Sequence, residues 1–247
     1  MISVWIEAAW AVDTGAVAPR ELSLPSSPPL SIDDAETVEK GHCEVNLTVG
    51  VAGKPGSWEA ELPLVDANLG LTDNVHVNAE MPYVFGAEGD ETSGGLGRGA
   101  FAVKVRALHT ERVQLTFHPA VELPPIGGVS FERRGPATFT LPVVLDVGLD
   151  ARGDGLGIQL ARSISTDGSE DAWNAAIGLA APVGDTGKLL LDYAQEAAPN
   201  LAPDEGWVEL GYVAGDLFGS EHLTLLSSVG RSTAGNTEAL LGVQVAM

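Results

Sequence analysis

The histidines are the side chains of this chain best suited to acid–base or metal chemistry, and there are five of them in 247 residues. No two have the spacing of metal ligands on one helix face. His76 and His118 are each followed four residues later by a glutamate, Glu80 and Glu122, so a strand would carry each pair on one face. Such a pair could exchange protons or hold a cation, but hydrogen-bonded histidines in a polar interior are the simpler interpretation. We therefore predict no catalytic residue and no metal site.

Two glycine-rich segments resemble phosphate-binding motifs, but each lacks an essential part. Residues 95–99 (GLGRG) lack the strand–turn–helix setting of a dinucleotide site. Residues 184–188 (GDTGK) resemble the end of a P-loop, but Pro182 stands where that motif needs its first glycine. The acidic turns at 150–155 and 167–171 lack EF-hand spacing, and no Gly-x-Ser-x-Gly nucleophile motif occurs. The sequence predicts turns at these places, no cofactor and no enzymatic activity.

The chain is strongly acidic, with 34 Asp and Glu against 13 Lys and Arg, a formal net charge of −21 and a pI of about 4.3. This charge argues against binding to nucleic acid, which needs a basic surface, and against a polybasic contact with anionic lipid. The single cysteine excludes an internal disulfide. Hydrophobic residues make up 45% of the chain, so it is not disordered. No apolar run reaches about 18 residues, so no transmembrane helix is predicted.

From residue 41 onward, apolar and polar side chains alternate, as they do in β-strands whose two faces meet different environments. In residues 42–52, for example, the odd positions are apolar and most of the even positions are polar. The pattern recurs to the end of the chain and predicts about twelve strands of roughly ten residues. In residues 58–71 the apolar positions change from even to odd numbers after Leu64, which predicts a β-bulge there.

The connections between these strands alternate in length. Short turns fall at 71–74, 109–112, 150–155, 184–187 and 215–221, and mostly longer connections fall at 53–57, 86–98, 124–137, 165–171, 196–206 and 230–236. Up-and-down membrane barrels have short turns on one side and longer loops on the other. The sequence therefore predicts an all-β fold, an antiparallel up-and-down transmembrane β-barrel of about 12 strands. A soluble β-sandwich or barrel used for binding is the alternative, although Greek-key crossings would not alternate so strictly.

Charged side chains at mid-depth on a lipid-facing wall cost up to about 2–4 kcal/mol each, so we expect the polar faces to point into the lumen. The candidates for lining a pore are Glu44, His76, Asn78, Glu80, Lys104, Arg106, His118, Glu122 and Asp146. Lys104 and Arg106 are nearly the only cations on these faces, so we expect them to pair with carboxylates in the lumen. The surplus of acidic groups predicts a lumen that disfavours anions. The pattern fits either a narrow passage or a barrel filled by its side chains.

Several aromatic residues lie near the ends of the predicted strands. Trp58, Trp173 and Trp207 each open a strand, and Tyr83 and Phe85 close one. Membrane barrels collect such rings into girdles where the wall meets the lipid headgroups. We expect girdle positions for these five residues, and the alternative is that they cover the core of a soluble sandwich.

The first 18 residues have some features of a secretory signal. They are largely apolar apart from Glu7, no basic residue precedes Arg20, and residues 16–18 (AVA) resemble a cleavage tripeptide. A signal peptide needs a positively charged start, which this segment lacks. Residues 1–18 are therefore interpreted either as a degenerate or truncated signal peptide, or as the result of a wrongly chosen start or a short helix.

Residues 19–40 are rich in proline, serine and acidic residues and show no hydrophobic periodicity. This composition is typical of an extended segment. We therefore divide the chain into an extended N-terminal leader, residues 1–40, and a β-barrel domain, residues 41–247.

Residues 28–44 (PPLSIDDAETVEKGHCE) resemble the opening of a Gram-negative outer-membrane β-barrel family that is labelled for the MetA pathway of phenol degradation. The similarity continues through residues 70–75 (GLTDNV), 80–84 (EMPYV), 95–97 (GLG) and 102–106 (AVKVR). Two positions depart from the family pattern, since Cys43 replaces an aromatic residue and the chain ends at Met247 without a terminal aromatic residue. The resemblance implies an outer-membrane barrel that moves small or aromatic compounds.

We predict a porin-like channel or transporter for small solutes in the cell outer membrane. Its expected partners are outer-membrane lipid and a small-molecule solute, with no nucleic acid. Two alternatives stay open at this point. One is a soluble or secreted binding protein, and the other is a lipid-modifying enzyme of the outer membrane, although the spacing places no serine beside a histidine.

Overall fold

The computed structural model describes residues 30–54, 56–88, 91–125, 136–149, 153–168, 171–197 and 203–247. The signal-like residues 1–18 lie outside the described residues, as do parts of the connections predicted at 124–137, 150–155, 165–171 and 196–206. No helix in the described part of the chain is long and apolar enough to cross a membrane. The strands are β1 (Cys43–Lys54), β2 (Ser57–Thr72), β3 (Val75–Glu88), β4 (Glu91–Leu96), β5 (Ala100–His109), β6 (Val113–Phe117), β7 (Ala120–Glu122), β8 (Thr138–Gly148), β9 (Gly155–Ser165), β10 (Ala172–Val183), β11 (Gly187–Ala197), β12 (Pro203–Ala214), β13 (Leu223–Ser232) and β14 (Thr237–Ala246).

These strands form one antiparallel sheet that closes on itself, because β1 pairs with β14 from Glu44↔Ala246 to Gly53↔Thr237. β4 and β5 follow one another along β3, and β6 and β7 follow one another between β5 and β8. The 14 strands therefore fill 12 positions in the wall, and the predicted up-and-down barrel is confirmed. We call the end with the turns at 73–74, 110–112 and 184–186 the short-turn end and the opposite end the loop end.

The segment at 86–98 differs from its prediction as a loop. β3 continues to Glu88, and β4 pairs with it through Ala87↔Thr92 and Val84↔Gly95. Backbone hydrogen bonds alone can hold an antiparallel ladder, so a strand that extends beyond the lipid needs no apolar face. A polar, glycine-rich sequence therefore shows no hydrophobic alternation from which such an extension could be predicted.

The predicted bulge in β2 is present, but it lies slightly earlier than the change of pattern at Leu64. Leu62 and Pro63 both lie opposite Val49 of β1, and the register with β3 shifts at the same place. The extra residue reverses the alternation of side chains. The apolar positions before and after it therefore both face outward, as the exposed Val65 shows.

The outer wall of the barrel is apolar and the inner wall is polar. Exposed apolar side chains along the strands include Leu47, Val49, Leu160, Leu191 and Leu210. Buried polar side chains alternate with such residues and include Asn46, Thr48, Asp66, His76, Lys104, Asp192 and Glu209. Hydrocarbon accepts only structures whose backbone groups pair internally, and a closed sheet with apolar side chains outside meets that condition. The alternative of a β-sandwich is wrong, because a sandwich buries its apolar side chains between two sheets.

Two of the three predicted tryptophans have girdle positions on the outer wall. Trp58 is exposed near the loop end and lies beside Phe85, with 5.6 Å between ring centroids. Trp173 lies at the loop end of β10. Trp207 instead precedes the exposed Val208 and therefore points inward. The girdle prediction for Trp207 is wrong, because it rested on the position along the strand and ignored the alternation of faces.

Replacing Leu191 with arginine should destabilise the barrel in a bilayer, because this exposed side chain lies near the middle of β11 on the outer wall. An arginine costs about 2–4 kcal/mol at the bilayer midplane and about 0–1 kcal/mol near the interface. Val183→Arg is the matched control, since Val183 is exposed at the short-turn end of β10. Urea unfolding in phosphatidylcholine vesicles measures both free energies, and equal losses would contradict a lipid-facing wall.

Candidate functional site

Residues 30–38 (LSIDDAETV), which we call the lumen segment, lie inside the short-turn half of the barrel. Its buried residues are Leu30, Ile32, Asp34, Ala35, Thr37 and Val38. The chain then passes through Gly41, whose N–H donates to the carbonyl of Gly70 at 2.9 Å, and enters β1. The sequence predicts an extended segment here, but it gives no indication that the segment enters the lumen.

Side chains of the inner wall hold the backbone of the lumen segment. The N–H groups of Ser31, Ile32, Asp33, Ala35 and Val38 donate to Glu209 at 2.5 Å, Asp192 at 3.1 Å, Gln159 at 2.9 Å, Asp146 at 2.8 Å and His76 at 3.0 Å, respectively. These acceptors belong to β12, β11, β9, β8 and β3, so the segment follows the inner wall across much of the barrel. Buried backbone groups must find partners, and here the wall supplies them one side chain at a time.

Lys104 of β5 forms the central ionic contact with the lumen segment. Its fully buried Nζ lies 2.9 Å from Asp33 Oδ1 and 2.9 Å from Asp34 Oδ1. His118 Nδ1 contacts the other carboxylate oxygen of Asp33 at 2.5 Å. A buried charge is tolerated only when it is paired. The structure therefore pairs Lys104 with carboxylates inside the lumen, as expected, but they come from the lumen segment and not from the strands.

The two neighbouring aspartates differ in their pKa. Burial raises the pKa of Asp34 well above its ordinary value, because removing the carboxylate from water disfavours its charged form. Burial acts in the same direction on Asp33, but Lys104 and His118 together outweigh it and hold the pKa of Asp33 below its ordinary value. Asp33 therefore keeps its negative charge and is the stronger ionic partner of Lys104.

The N-terminal part of the lumen segment is anchored by apolar contacts. Leu30 and Ile32 belong to one buried apolar cluster together with Leu226. Two glycines of the wall make room for them. A Cβ atom added at Gly178 would lie 3.1 Å from Ile32 Cγ2, and one added at Gly211 would lie 3.0 Å from Leu30 Cδ2. The wall is therefore shaped to receive these two side chains.

A second polar cluster belongs to the wall alone. Asp66 accepts a hydrogen bond from Asn46 Nδ2 at 2.9 Å, and the amide of Asn78 donates to Asp66 and, at 3.1 Å, to Asn68 Oδ1. These residues lie in the short-turn halves of β1, β2 and β3. The amide of Asn78, a predicted pore-lining group, is thus engaged by neighbouring strands. This network fixes the side chains of the inner wall in place.

Carboxylates also form an oblique row across the inner wall. Asp192 and Glu209 lie directly opposite each other on neighbouring strands. The row then crosses β13, at a small residue, to reach Glu238 on β14, and crosses β1, at another small residue, to reach Glu59 on β2. The row contains no basic residue. These four side chains give the inner wall an acidic stretch.

Four of the nine predicted pore-lining residues meet at the lumen segment. These four are His76, Lys104, His118 and Asp146. The structure brings them together from β3, β5, the break between β6 and β7, and β8. Their part in a pore stays a prediction, but the arrangement makes them the site that holds the lumen segment.

The other predicted residues lie elsewhere. Glu80 is opposite Asp66 in the wall, and Glu122 pairs with Arg98. Glu44 accepts a hydrogen bond from Gln244 at 3.3 Å near the short-turn end. Arg106 donates to the carbonyl of Asp73 at 2.5 Å and to Asn74 Oδ1 at 3.2 Å, so it braces a turn.

Sequence reasoning does not find Asp33, Asp34, Arg98 or Glu238 as interior groups. The aspartates lie in a segment without periodicity, and Arg98 lies in a predicted loop. A lone lysine on a polar strand face is the one signal that could have prompted a search of the leader for its partners. Glu238 is the second residue of its strand, next to the end, where alternation has little preceding sequence to support it.

The described residues include no group of three or more His, Cys, Asp or Glu side chains placed to hold a metal ion. His76 and His118 lie close, with 6.1 Å between ring centroids. His76 Nδ1 accepts the N–H of Val38 at 3.0 Å, so in the neutral ring Nε2 carries the proton. His118 is likewise engaged with Asp33. Both rings therefore form hydrogen bonds with the lumen segment.

The fold of this barrel is similar to that of several solved outer-membrane porins and channels. It is similar to an outer membrane channel from Pseudomonas putida F1, with a TM-score of 0.64 and 11% identity over 88% of this chain and 100% of that chain. It is also similar to the KdgM porin in complex with disordered oligogalacturonate, with a TM-score of 0.60 and 5% identity over 82% and 98%. A third similar structure is the NanC porin, with a TM-score of 0.57 and 9% identity over 81% of this chain and 98% of that chain. No family model matches the sequence, and no curated protein matches it.

Proposed function

We propose that this protein is an outer-membrane channel for small polar solutes, with a preference for cations, and that the lumen segment obstructs its short-turn half. The observation that carries the proposal is the closed wall with apolar side chains outside and polar and acidic side chains inside. The likeness of the fold to porins and channels supports it. A barrel built only as an anchor would not require an interior of carboxylates.

The preference for cations follows from the interior charges. Glu59, Glu61 and Glu80 lie on the inner wall and are partly accessible, whereas the buried Lys104 is neutralised by the lumen segment. Carboxylates that line a passage attract cations and repel anions. A small cation or an uncharged polar molecule therefore fits this interior better than an anionic one.

The lumen segment is suited to be a movable obstruction. Single side-chain contacts, one ionic cluster and two apolar side chains hold it, and it forms no strand ladder with the wall. A neutral hydrogen bond contributes only about 0.5–1.5 kcal/mol net, and one to a charged carboxylate about 1.5–3 kcal/mol. The segment can therefore leave while the wall stays closed, since the wall pairs through its own strands.

The proposal is tested by the reversal potential of the purified full-length protein in planar bilayers under a potassium chloride gradient. We expect discrete conductance steps and a reversal potential shifted toward the potassium equilibrium potential. Detergent without protein is the control. A reversal potential on the chloride side, or no conductance with folded protein incorporated, would overturn the proposal.

A further inference from the structure

The lumen segment covers a pocket of the inner wall that receives the side chains of Leu30 and Ile32. We call it the segment pocket. Its apolar residues, on β10 to β13, are Ala176, Ala180, Leu190, Val213 and Leu226. Asp192 and Glu209 form its polar edge. We propose that the segment pocket is a solute site of the channel, that it takes a primary ammonium ion carrying a small branched alkyl group, and that this solute and the lumen segment compete for it.

The sheet register separates the charged part of the segment pocket from the apolar part. Asp192 and Glu209 lie opposite each other on β11 and β12. Two residues nearer the short-turn end, Leu190 lies opposite Gly211. Both pairs point into the lumen, because Leu191, which lies between them on β11, is exposed on the outer wall. An occupant of the segment pocket therefore meets carboxylates toward the loop end and apolar side chains toward the short-turn end.

The lumen segment itself shows which chemistry the segment pocket accepts. The N–H of Ser31 donates to Glu209 at 2.5 Å. The N–H of Ile32 donates to Asp192 at 3.1 Å. The side chains of Leu30 and Ile32 fill the apolar part. The segment pocket therefore holds N–H donors joined to branched alkyl groups. A branched alkylammonium ion has the same two parts and adds the positive charge that a backbone N–H lacks.

The two carboxylates of the segment pocket face each other without a basic side chain between them. Asp192 and Glu209 are only 2% and 3% exposed. No lysine or arginine of the described residues lies within ion-pair distance of either one, and no N–H group in that part of the chain donates to Asp192 Oδ1. Like charges directly opposite each other destabilise a sheet. An ammonium ion between them removes this repulsion and supplies charge-assisted hydrogen bonds.

The inference rests on the proposed function, because it names a solute for the channel, but its test needs no conductance. The probe is isoamylammonium, which carries the isobutyl group of a leucine side chain next to its ammonium group. Isothermal titration calorimetry of the full-length protein in detergent measures its binding. We expect saturable binding of isoamylammonium and at least about tenfold weaker binding of isoamyl alcohol, which has the same alkyl group but no charge. Ammonium chloride, which lacks the alkyl group, should also bind more weakly.

A pair of double variants locates the site. Asp192→Asn/Glu209→Gln removes the polar edge of the segment pocket and should weaken the binding of isoamylammonium at least about tenfold. Glu61→Gln/Glu80→Gln is the matched control, because it removes two inner-wall carboxylates on β2 and β3, which β14 and β1 separate from the segment pocket. The control should keep the original affinity.

A disulfide that holds the lumen segment in place tests the competition. An added Cβ atom at Gly178 would lie 3.1 Å from Ile32 Cγ2, so cysteines at these two positions can join the segment to the wall. The variant Ile32→Cys/Gly178→Cys with Cys43→Ser should bind isoamylammonium after reduction and not in the oxidised form, because the oxidised segment cannot leave the pocket.

Four outcomes would overturn the inference. The first is no saturable binding of isoamylammonium, and the second is equal binding of isoamyl alcohol, which would show that charge is not recognised. The third is the original affinity in Asp192→Asn/Glu209→Gln. The fourth is equal binding by the oxidised and reduced disulfide variant, which would show that solute and segment do not compete. If the protein conducts potassium but fails these tests, only this inference fails. If binding follows the predictions but the protein does not conduct, the channel proposal fails and the segment pocket stands as a ligand site.

Discussion

Replacing Lys104 with methionine should release the lumen segment and raise the conductance of the barrel. The change leaves Asp33 and Asp34 buried without the cation that now lies 2.9 Å from each of them. Removing one partner from a buried ion pair costs about 3–5 kcal/mol, which exceeds what any single hydrogen bond of the segment contributes. Single-channel conductance measures the opening, and proteolysis after Glu36 by a glutamate-specific protease measures the release.

A compensated variant distinguishes release of the segment from damage to the barrel. Lys104→Met combined with Asp33→Asn and Asp34→Asn removes the uncompensated charges, so it should restore low conductance and resistance to the protease. Unchanged conductance and unchanged proteolysis in Lys104→Met would show that this ionic cluster does not hold the segment.

Neutralising the acidic wall should reduce the preference for cations. Glu59 and Glu61 lie on the inner face of β2 toward the loop end, and both side chains are partly accessible. A unit charge about 4 Å from an ion in a watery passage contributes about 1 kcal/mol, which corresponds to roughly a fivefold change in relative permeability. Because Glu59→Gln/Glu61→Gln removes two such charges, and each acts oppositely on potassium and chloride, we expect it to lower the potassium-over-chloride permeability ratio by at least about fivefold, measured by reversal potential.

The matched control changes the same number and type of residues outside the lumen. Glu111 and Glu221 are exposed beside turns at the short-turn end. Glu111→Gln/Glu221→Gln keeps the net charge equal to that of the first variant and should leave the permeability ratio near its original value. If both double variants changed the ratio by the same amount, total charge and not the inner wall would set selectivity.

The barrel could be predicted from the sequence because the environment of each strand residue depends only on which face of the strand it lies on, and the two faces alternate along the chain. A strand with lipid on one side and a polar lumen on the other must alternate every second residue, and that alternation runs through the chain from residue 42 onward. The alternating lengths of the connections then distinguish an up-and-down barrel from a sandwich. The error in the hairpin of β3 and β4 lies where alternation carries little information, whereas the error at Trp207 came from ignoring alternation.

The site could be predicted only in part. His76, Lys104, His118 and Asp146 follow from strand alternation, because all four lie on polar faces. The lumen segment that these four residues contact does not follow from alternation. Residues 30–38 bind the wall through backbone N–H groups, which nearly every sequence carries. The glycine at Gly178 is informative only once Ile32 is known to lie against it. Contacts between an irregular segment and a wall distant in sequence leave no periodic signature.

The proposed function requires that solutes pass through the lumen and that the lumen segment obstructs them. A reversible disulfide between the segment and the wall tests it. A Cβ atom at Gly178 would lie 3.1 Å from Ile32 Cγ2, so cysteines at these two positions come within the Cβ–Cβ distance of about 3.5–4.5 Å that a disulfide requires. The variant is Ile32→Cys/Gly178→Cys with Cys43→Ser, which removes the chain's own cysteine.

The measurement is the single-channel conductance of this variant before and after a reductant is added to the bilayer chamber. We predict a low, steady conductance in the oxidised protein and the appearance of larger openings after reduction, in the same membrane. The same conductance in both states, with the disulfide shown to form and to be reduced, would contradict the account.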